Sequence, residues 1–131
     1  MENMTLLIDT SVLIELEHEN EQTLSKLGSI SREHPERAAI SFITYAEFLT
    51  GLEKEPLQRK AEAKKFLWKF RILHTTNETA LWLAHLRSNY RKQQKSLSDL
   101  FIASQAIEHK LTLVTLDKDF EDIKEIKKII L

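Results

Sequence analysis

The sequence predicts an α/β protein in three layers, with helices on both faces of a central parallel sheet of four to five strands. Three observations predict it. Short, continuously apolar runs alternate with stretches carrying apolar residues at helical spacing, the pattern of strands buried on both faces. The chain has 131 residues, of which 42% are hydrophobic, so residues 1–131 are expected to form one domain with a sizeable core. Cysteine is absent and glycine and proline number two each, which excludes a disulfide scaffold, thiolate metal sites and low-complexity disorder. No apolar run approaches roughly 18 residues and no basic leader precedes the first strand, so the reading is a soluble cytoplasmic protein with no membrane partner.

The elements follow in order. Thr5-Leu6-Leu7-Ile8 is an apolar run that stops at Asp9 and reads as the first strand. Thr10 or Ser11 can cap a first helix carrying Val12, Leu13 and Leu16. Asn20 caps a second helical stretch with Leu24 and Leu27, and Gly28 fits its C-terminal stop. Residues 38–43 read as a second buried strand, and Thr44 opens a helix with Tyr45, Phe48, Leu49 and Leu52 in one stripe. After Pro56 a longer helix puts Ala63, Phe66, Leu67 and Phe70 on one face, with Trp68 off the stripe. Residues 72–75 suggest a short edge strand, and Asn77 caps a helix with Trp82, Leu83, Leu86 and Tyr90 inward. A polar, basic loop over residues 92–96 leads to a helix over 98–110. Residues 111–116 are the clearest strand, Asp117-Lys118-Asp119 turns away from it, and residues 126–131 add a last strand.

Net charge is −1 and by itself points to no partner. Its distribution is polarised. Residues 1–36 hold eight acids against Lys26 and Arg32, whereas residues 59–71 hold Arg59, Lys60, Lys64, Lys65, Lys69 and Arg71 against Glu62. Residues 87–95 add Arg87, Arg91, Lys92 and Lys95 with no acid. Such stretches can be solvated helix faces, or they can steer a polyanion.

In parallel α/β sheets, ligands bind outside the carboxyl ends of the strands. Asp9 follows the first strand, Asp117 follows the strand over 111–116, Glu47 lies on the helix leaving the second strand, and Asp99 opens the helix before the 111–116 strand. Each also has a purely structural explanation. Thr44 to Glu47 matches a capping box, Asp9 can cap a helix, Asp99 can complement a helix dipole and Asp117 can shape a turn. Converging carboxylates repel one another and need a cation, and oxygen-only donors suit Mg²⁺ or Mn²⁺. Such ions support phosphodiester hydrolysis.

These residues resemble the PIN-domain nucleases. Leu6-Leu7-Ile8-Asp9-Thr10-Ser11-Val12-Leu13-Ile14 is similar to that family's opening block, and residues 40–52, with the single Glu47, resemble the second. Leu97-Ser98-Asp99-Leu100-Phe101-Ile102-Ala103 resembles the third block and residues 113–120 the fourth, so four blocks in order span most of the chain. Within the family, the short chain and the helical pair after Glu47 look most like VapC-type toxins of toxin–antitoxin modules. The resemblance implies strand order 3-2-1-4-5 and a Mg²⁺- or Mn²⁺-dependent endoribonuclease. It implies Asp9, Glu47 and Asp99 as metal-holding catalytic acids, with Asp117 as the fourth. Ser11 and Thr115 match supporting polar positions, and Asp119 stands beside the fourth acid. Expected partners are an RNA substrate, a cognate antitoxin protein and a second copy in a homodimer. Where many relatives have a glycine before the third block, this chain reads Lys92-Gln93-Gln94-Lys95-Ser96.

Other chemistries find less support. No two of His18, His34, His74, His85 and His109 sit three or four apart, and no glycine-rich phosphate loop exists. A receiver-like phosphoacceptor module would need an acid pair after the first strand, where this chain has Asp9-Thr10-Ser11. A catalytically silent PIN-like interaction module would lack an acid, and none of the first three is missing. A housekeeping RNA-processing nuclease is the alternative within the family.

Overall fold

A computed structural model describes residues 5–33 and 37–131. Its order is β1 (Leu6–Ile8), α1 (Thr10–Glu17), α2 (Glu21–Glu33), β2 (Ala39–Ser41), α3 (Phe42–Leu52), α4 (Leu57–Leu67), β3 (Arg71–Leu73), α5 (Asn77–Asn89), α6 (Leu97–Glu108), β4 (Thr112–Thr115) and β5 (Lys127–Ile130). The five strands form one sheet in the order β3-β2-β1-β4-β5, and every neighbouring pair is parallel. Both the fold class and the strand order agree with expectation.

Side-chain alternation along the strands builds the three layers. Leu7 and Leu113 point to the face covered by α5 and α6, where they meet Leu86, Ile102, Ala103 and Phe120. Leu6, Ile8, Ile40 and Val114 point to the other face, among Val12, Leu13, Phe48, Ala63 and Leu67 of α1, α3 and α4. Because both faces are apolar, the strands read as unbroken hydrophobic runs.

Several boundaries differ from those the sequence suggests. Gly28 does not stop α2, which continues to Glu33. Ile30, beyond the glycine, packs against the second core layer, and that burial offsets the roughly 1 kcal/mol helix penalty of glycine. The second strand ends at Ser41, whose hydroxyl accepts from the Ile43 amide (3.2 Å) and caps α3. Phe42 and Ile43 are therefore helical, and Thr44 lies inside the helix rather than capping it. Asp9 takes the N-cap backbone position of α1, so Thr10 and Ser11 are already helical. Thr76, one residue before Asn77, caps α5 through a box with Thr79. Ser96 caps α6, which ends at Glu108.

Candidate metal centre

Parallel strands deliver their carboxyl ends to one edge, and β1 and β4 are adjacent at the middle of it. The Asp9 amide donates to the Val114 carbonyl (3.0 Å), which locks the first acid against β4. Asp9 is 4% exposed, and its Oδ2 accepts from Thr115 Oγ1 (2.7 Å) and Ser11 Oγ (3.0 Å). Burial raises its carboxyl above the ordinary 3.8, opposed by these two hydrogen bonds. The same hydroxyls reach onward. Thr115 Oγ1 accepts from the Asp117 amide (2.9 Å) and Ser11 Oγ from the Leu116 amide (3.3 Å). The two supporting positions thus tie the first acid to the segment carrying the fourth.

Asp99 enters from α6. The Ser96 hydroxyl accepts from the Asp99 amide (3.1 Å), placing Asp99 in the first turn, half-buried. Carboxylate oxygens of Asp99, Asp117 and Asp119 all lie within 4.8 Å of one another. Burial, then the charges of Asp117 and Asp9, push the Asp99 carboxyl from 3.8 to about 6. A helix N-terminus alone moves a carboxyl down. Neighbouring carboxylates and desolvation therefore dominate over the dipole.

Asp117 does shape a turn, since its Oδ1 accepts from the Asp119 amide (2.9 Å) and caps a 3₁₀ turn at Lys118–Phe120. That turn role does not keep it out of the cluster; it brings Asp119 in. The Lys95 side chain, 8% exposed, secures the arrangement by donating to the Asp119 carbonyl (2.6 Å) and pairing with Asp122 (2.6 Å). Tyr90 fastens the far end of the loop, donating to Glu125 (2.5 Å) while accepting from the Lys124 amide (3.0 Å).

Glu47 is exposed and stands outside that three-acid group. It accepts from Thr10 Oγ1 (3.0 Å) and Ser98 Oγ (3.3 Å), the residues next to Asp9 and Asp99. Thr10 Oγ1 also bonds the buried Thr44 hydroxyl (2.9 Å). The capping box read for Thr44 and Glu47 does not form, because Ser41 already caps α3. Glu47 is thereby left at the rim beside the other acids.

Thr10, Thr44, Ser98, Lys95 and Gln105 were not anticipated. Thr10 and Ser98 carry a signal, each adjacent to an acid in sequence. Lys95 and Gln105 carry none. Fully buried Gln105 donates to the carbonyls of Leu73 (3.1 Å) and His74 (3.2 Å) and accepts from the Phe42 amide (3.2 Å). It pins the end of β3 to the start of α3. His18, His74, His85 and His109 are not in the acid group, and His34, Glu2 and Glu36 lie outside the described residues.

Among the described residues, no lysine, arginine or histidine forms an ion pair with Asp9, Glu47, Asp99, Asp117 or Asp119. An all-oxygen set of acids, held in place and without a protein counter-charge, fits a hard divalent cation.

A model of the PIN domain matches residues 6–126. Solved structures similar to this chain include VapBC2 from Rickettsia felis bound to a DNA fragment from their promoter. That match has TM-score 0.85 and 22% identity, covering 98% of this chain and 99% of the other. A toxin–antitoxin complex from Klebsiella pneumoniae matches with TM-score 0.77 and 28% identity, covering 93% and 95%. VapBC-5 from Mycobacterium tuberculosis, a member of the VapBC family of toxin–antitoxin systems, matches with TM-score 0.69 and 22% identity, covering 99% and 100%. No curated protein matches the sequence.

Proposed function

The chain belongs to the PIN domain family, and from that membership we propose that it is a Mg²⁺- or Mn²⁺-dependent endoribonuclease, the toxin of a toxin–antitoxin module, acting in the cytoplasm. The carrying observation is the convergence of Asp99, Asp117 and Asp119 within 4.8 Å, beside buried Asp9 and, among the described residues, without a paired cation. A bound ion would supply charge neutralisation and an activated water for phosphodiester hydrolysis.

The chain's own residues divide the remaining work. Asp9, Asp99 and Asp117 are the donors we assign to the ion; Asp119 lies within 4.8 Å of Asp99 and Asp117, and Asp9 and Glu47 stand outside that three-acid group. Thr115 and Ser11 orient Asp9 by donating to the same carboxylate oxygen, and those bonds oppose the rise that burial imposes on its carboxyl. Thr10 and Ser98 orient Glu47 by donating one to each of its carboxylate oxygens, Oε1 and Oε2.

The toxin assignment draws support from the Klebsiella pneumoniae complex and the Mycobacterium tuberculosis VapBC-5 structure, whose partners are antitoxins. In this chain, a groove of about 760 Å³ runs between α1–α2 and α4, with Leu16, Leu24, Phe66 and Phe70 along it. We assign it to the antitoxin and expect the free toxin to be a homodimer.

The test is cleavage of a mixed pool of structured RNAs with Mn²⁺, Mg²⁺ or EDTA, beside Asp99→Asn. Cutting that requires both metal and Asp99 is expected. Absence of cutting, together with no metal-induced rise in melting temperature, would leave a silent PIN-like interaction module as the better reading.

A further inference from the structure

The basic stretch over residues 59–71 and the exposed Trp68 are not used by the acid centre. Of them, Lys64, Trp68 and Arg71 meet in a groove of about 540 Å³ along the edge strand β3, which Arg37, Tyr45 and His74 also line. No acid lines it. Trp68 is 71% exposed, and Lys64 and Arg71 form no ion pair among the described residues. The groove is built rather than incidental. Arg37 donates to the carbonyls of Trp68 (2.6 Å), Lys69 (3.3 Å) and Phe70 (3.0 Å), fixing the turn from which the indole projects.

Sheet register connects this groove to the acids. Leu7 pairs with Ala39 and Ser41 with Leu73, so Asp9, Ser41 and Leu73 lie level across three neighbouring strands. At about 4.8 Å per strand, the end of β3 is about 10 Å from Asp9. One residue further on, Phe42 and His74 present a tilted ring pair, with centroids 6.1 Å apart. Phe42 is 40% exposed and His74 is exposed. A path leaving the acids thus crosses Phe42 and His74, then turns down β3 onto Trp68 between Lys64 and Arg71.

Exposed aromatics interleaved with unpaired cations are the recognition chemistry of single-stranded nucleic acid, where bases stack and phosphates are neutralised. The geometry points to this groove as the subsite for unpaired RNA flanking the cut: a base stacks on Trp68 while Lys64 and Arg71 hold the adjacent phosphates. The inference rests on the nuclease reading and names where its substrate lies. Duplex nucleic acid has no free base face to offer the indole, and a cationic partner would be repelled.

Binding of a fluorescein-labelled oligouridylate of about twelve nucleotides is measured by anisotropy in EDTA, so that nothing is cut. Trp68→Ala should weaken binding about ten- to a hundredfold, and Trp68→Phe should restore most of it. Lys64→Glu with Arg71→Glu should weaken it further and reduce the salt slope by about 1.4 logarithmic units per decade. Unchanged affinity in the Ala and Glu variants overturns the inference, as does Trp68→Phe binding no better than Trp68→Ala. So does tighter capture at these residues of duplex DNA or an acidic peptide. Melting curves equal to the parent's verify that the surface substitutions leave the fold intact. If the parent cuts RNA but groove variants bind it normally, only the groove assignment fails. If groove variants weaken binding but the parent never cuts, the nuclease reading fails, and with it the placing of the groove beside a cut, while single-strand binding at Trp68 stands.

Discussion

Asp99 shows most directly what the acid cluster costs the folded chain. Its carboxyl titrates near 6 in the folded protein against an ordinary 3.8, raised first by burial and then by Asp117 and Asp9. Where both folded and unfolded chains are protonated, below about 4, the site carries no penalty. As pH rises towards 6 the unfolded chain gives up its proton first, so stability falls and the loss is complete above about 6. Asp9 is raised too, and acts with the same sign. The metal-free protein should therefore melt at a lower temperature at pH 7 than at pH 5, and Mn²⁺ should reverse the difference. Asp99→Asn should flatten that pH dependence and raise the metal-free melting temperature at pH 7, while removing cleavage. Calorimetric melts at both pH values, with Mn²⁺ and with EDTA, test it. A loss of fold in Asp99→Asn would support complementing the α6 dipole as its role instead. At this scale the sequence was legible for acids that directly follow strands, because strand ends are visible as apolar runs. It ranked Asp119 below Asp117, since only the turn geometry shows that Asp117's own hydrogen bond draws Asp119 into the group.

Elements decide whether those acids meet. The loop before α6 and the 3₁₀ turn after β4 are far apart in sequence, and Lys95 joins them through the Asp119 carbonyl and the Asp122 carboxylate. The hydrogen bond from Lys95 holds Asp122 below the usual carboxylate range. Lys95→Met should keep the α/β fold but free the turn. Mn²⁺ affinity, measured by titration calorimetry, should fall about tenfold, as when a partner that orients a metal ligand is removed. Unchanged affinity would show that β4 and Asp117 alone fix the turn. Helix ends were the least legible feature, and glycine is the reason. Both glycines lie inside helices, at Gly28 in α2 and Gly51 in α3. The left-handed positions fall instead on Glu19, Gln94 and Lys110. Lys110 and Glu19 close their helices with paired backbone bonds, Leu111 to Ala106 and Lys110 to Ile107, and Asn20 to Glu15 and Glu19 to Leu16. A left-handed glutamate or lysine costs about 1 kcal/mol and leaves no compositional mark. Gln94, the third left-handed position, closes the 3₁₀ turn before α6 with that backbone.

At the scale of the molecule, the sheet holds the site by being buried on both faces. Leu7 is wholly buried on β1, immediately inside the strand end that carries Asp9. Leu7→Ala should cost about 2–5 kcal/mol, read as a lower denaturant midpoint, and should weaken metal binding only in proportion to unfolding. A selective loss of metal affinity without loss of stability would show that β1 moves rather than the whole sheet weakening. The sequence by itself determined the α/β class, the order of elements and the family, because apolar runs, helical stripes and four short blocks are local patterns. It also named the acids, because their types and their places after strands are local. Tertiary structure alone decided which acids converge and which stands at the rim. It decided that Lys95 and Gln105 hold distant segments together, and that Lys64, Arg71 and Trp68 line one groove along the edge strand β3. Those facts depend on strand register and crossovers between residues as much as 106 positions apart, as Asp9 and Thr115 are. No local pattern encodes such a distance.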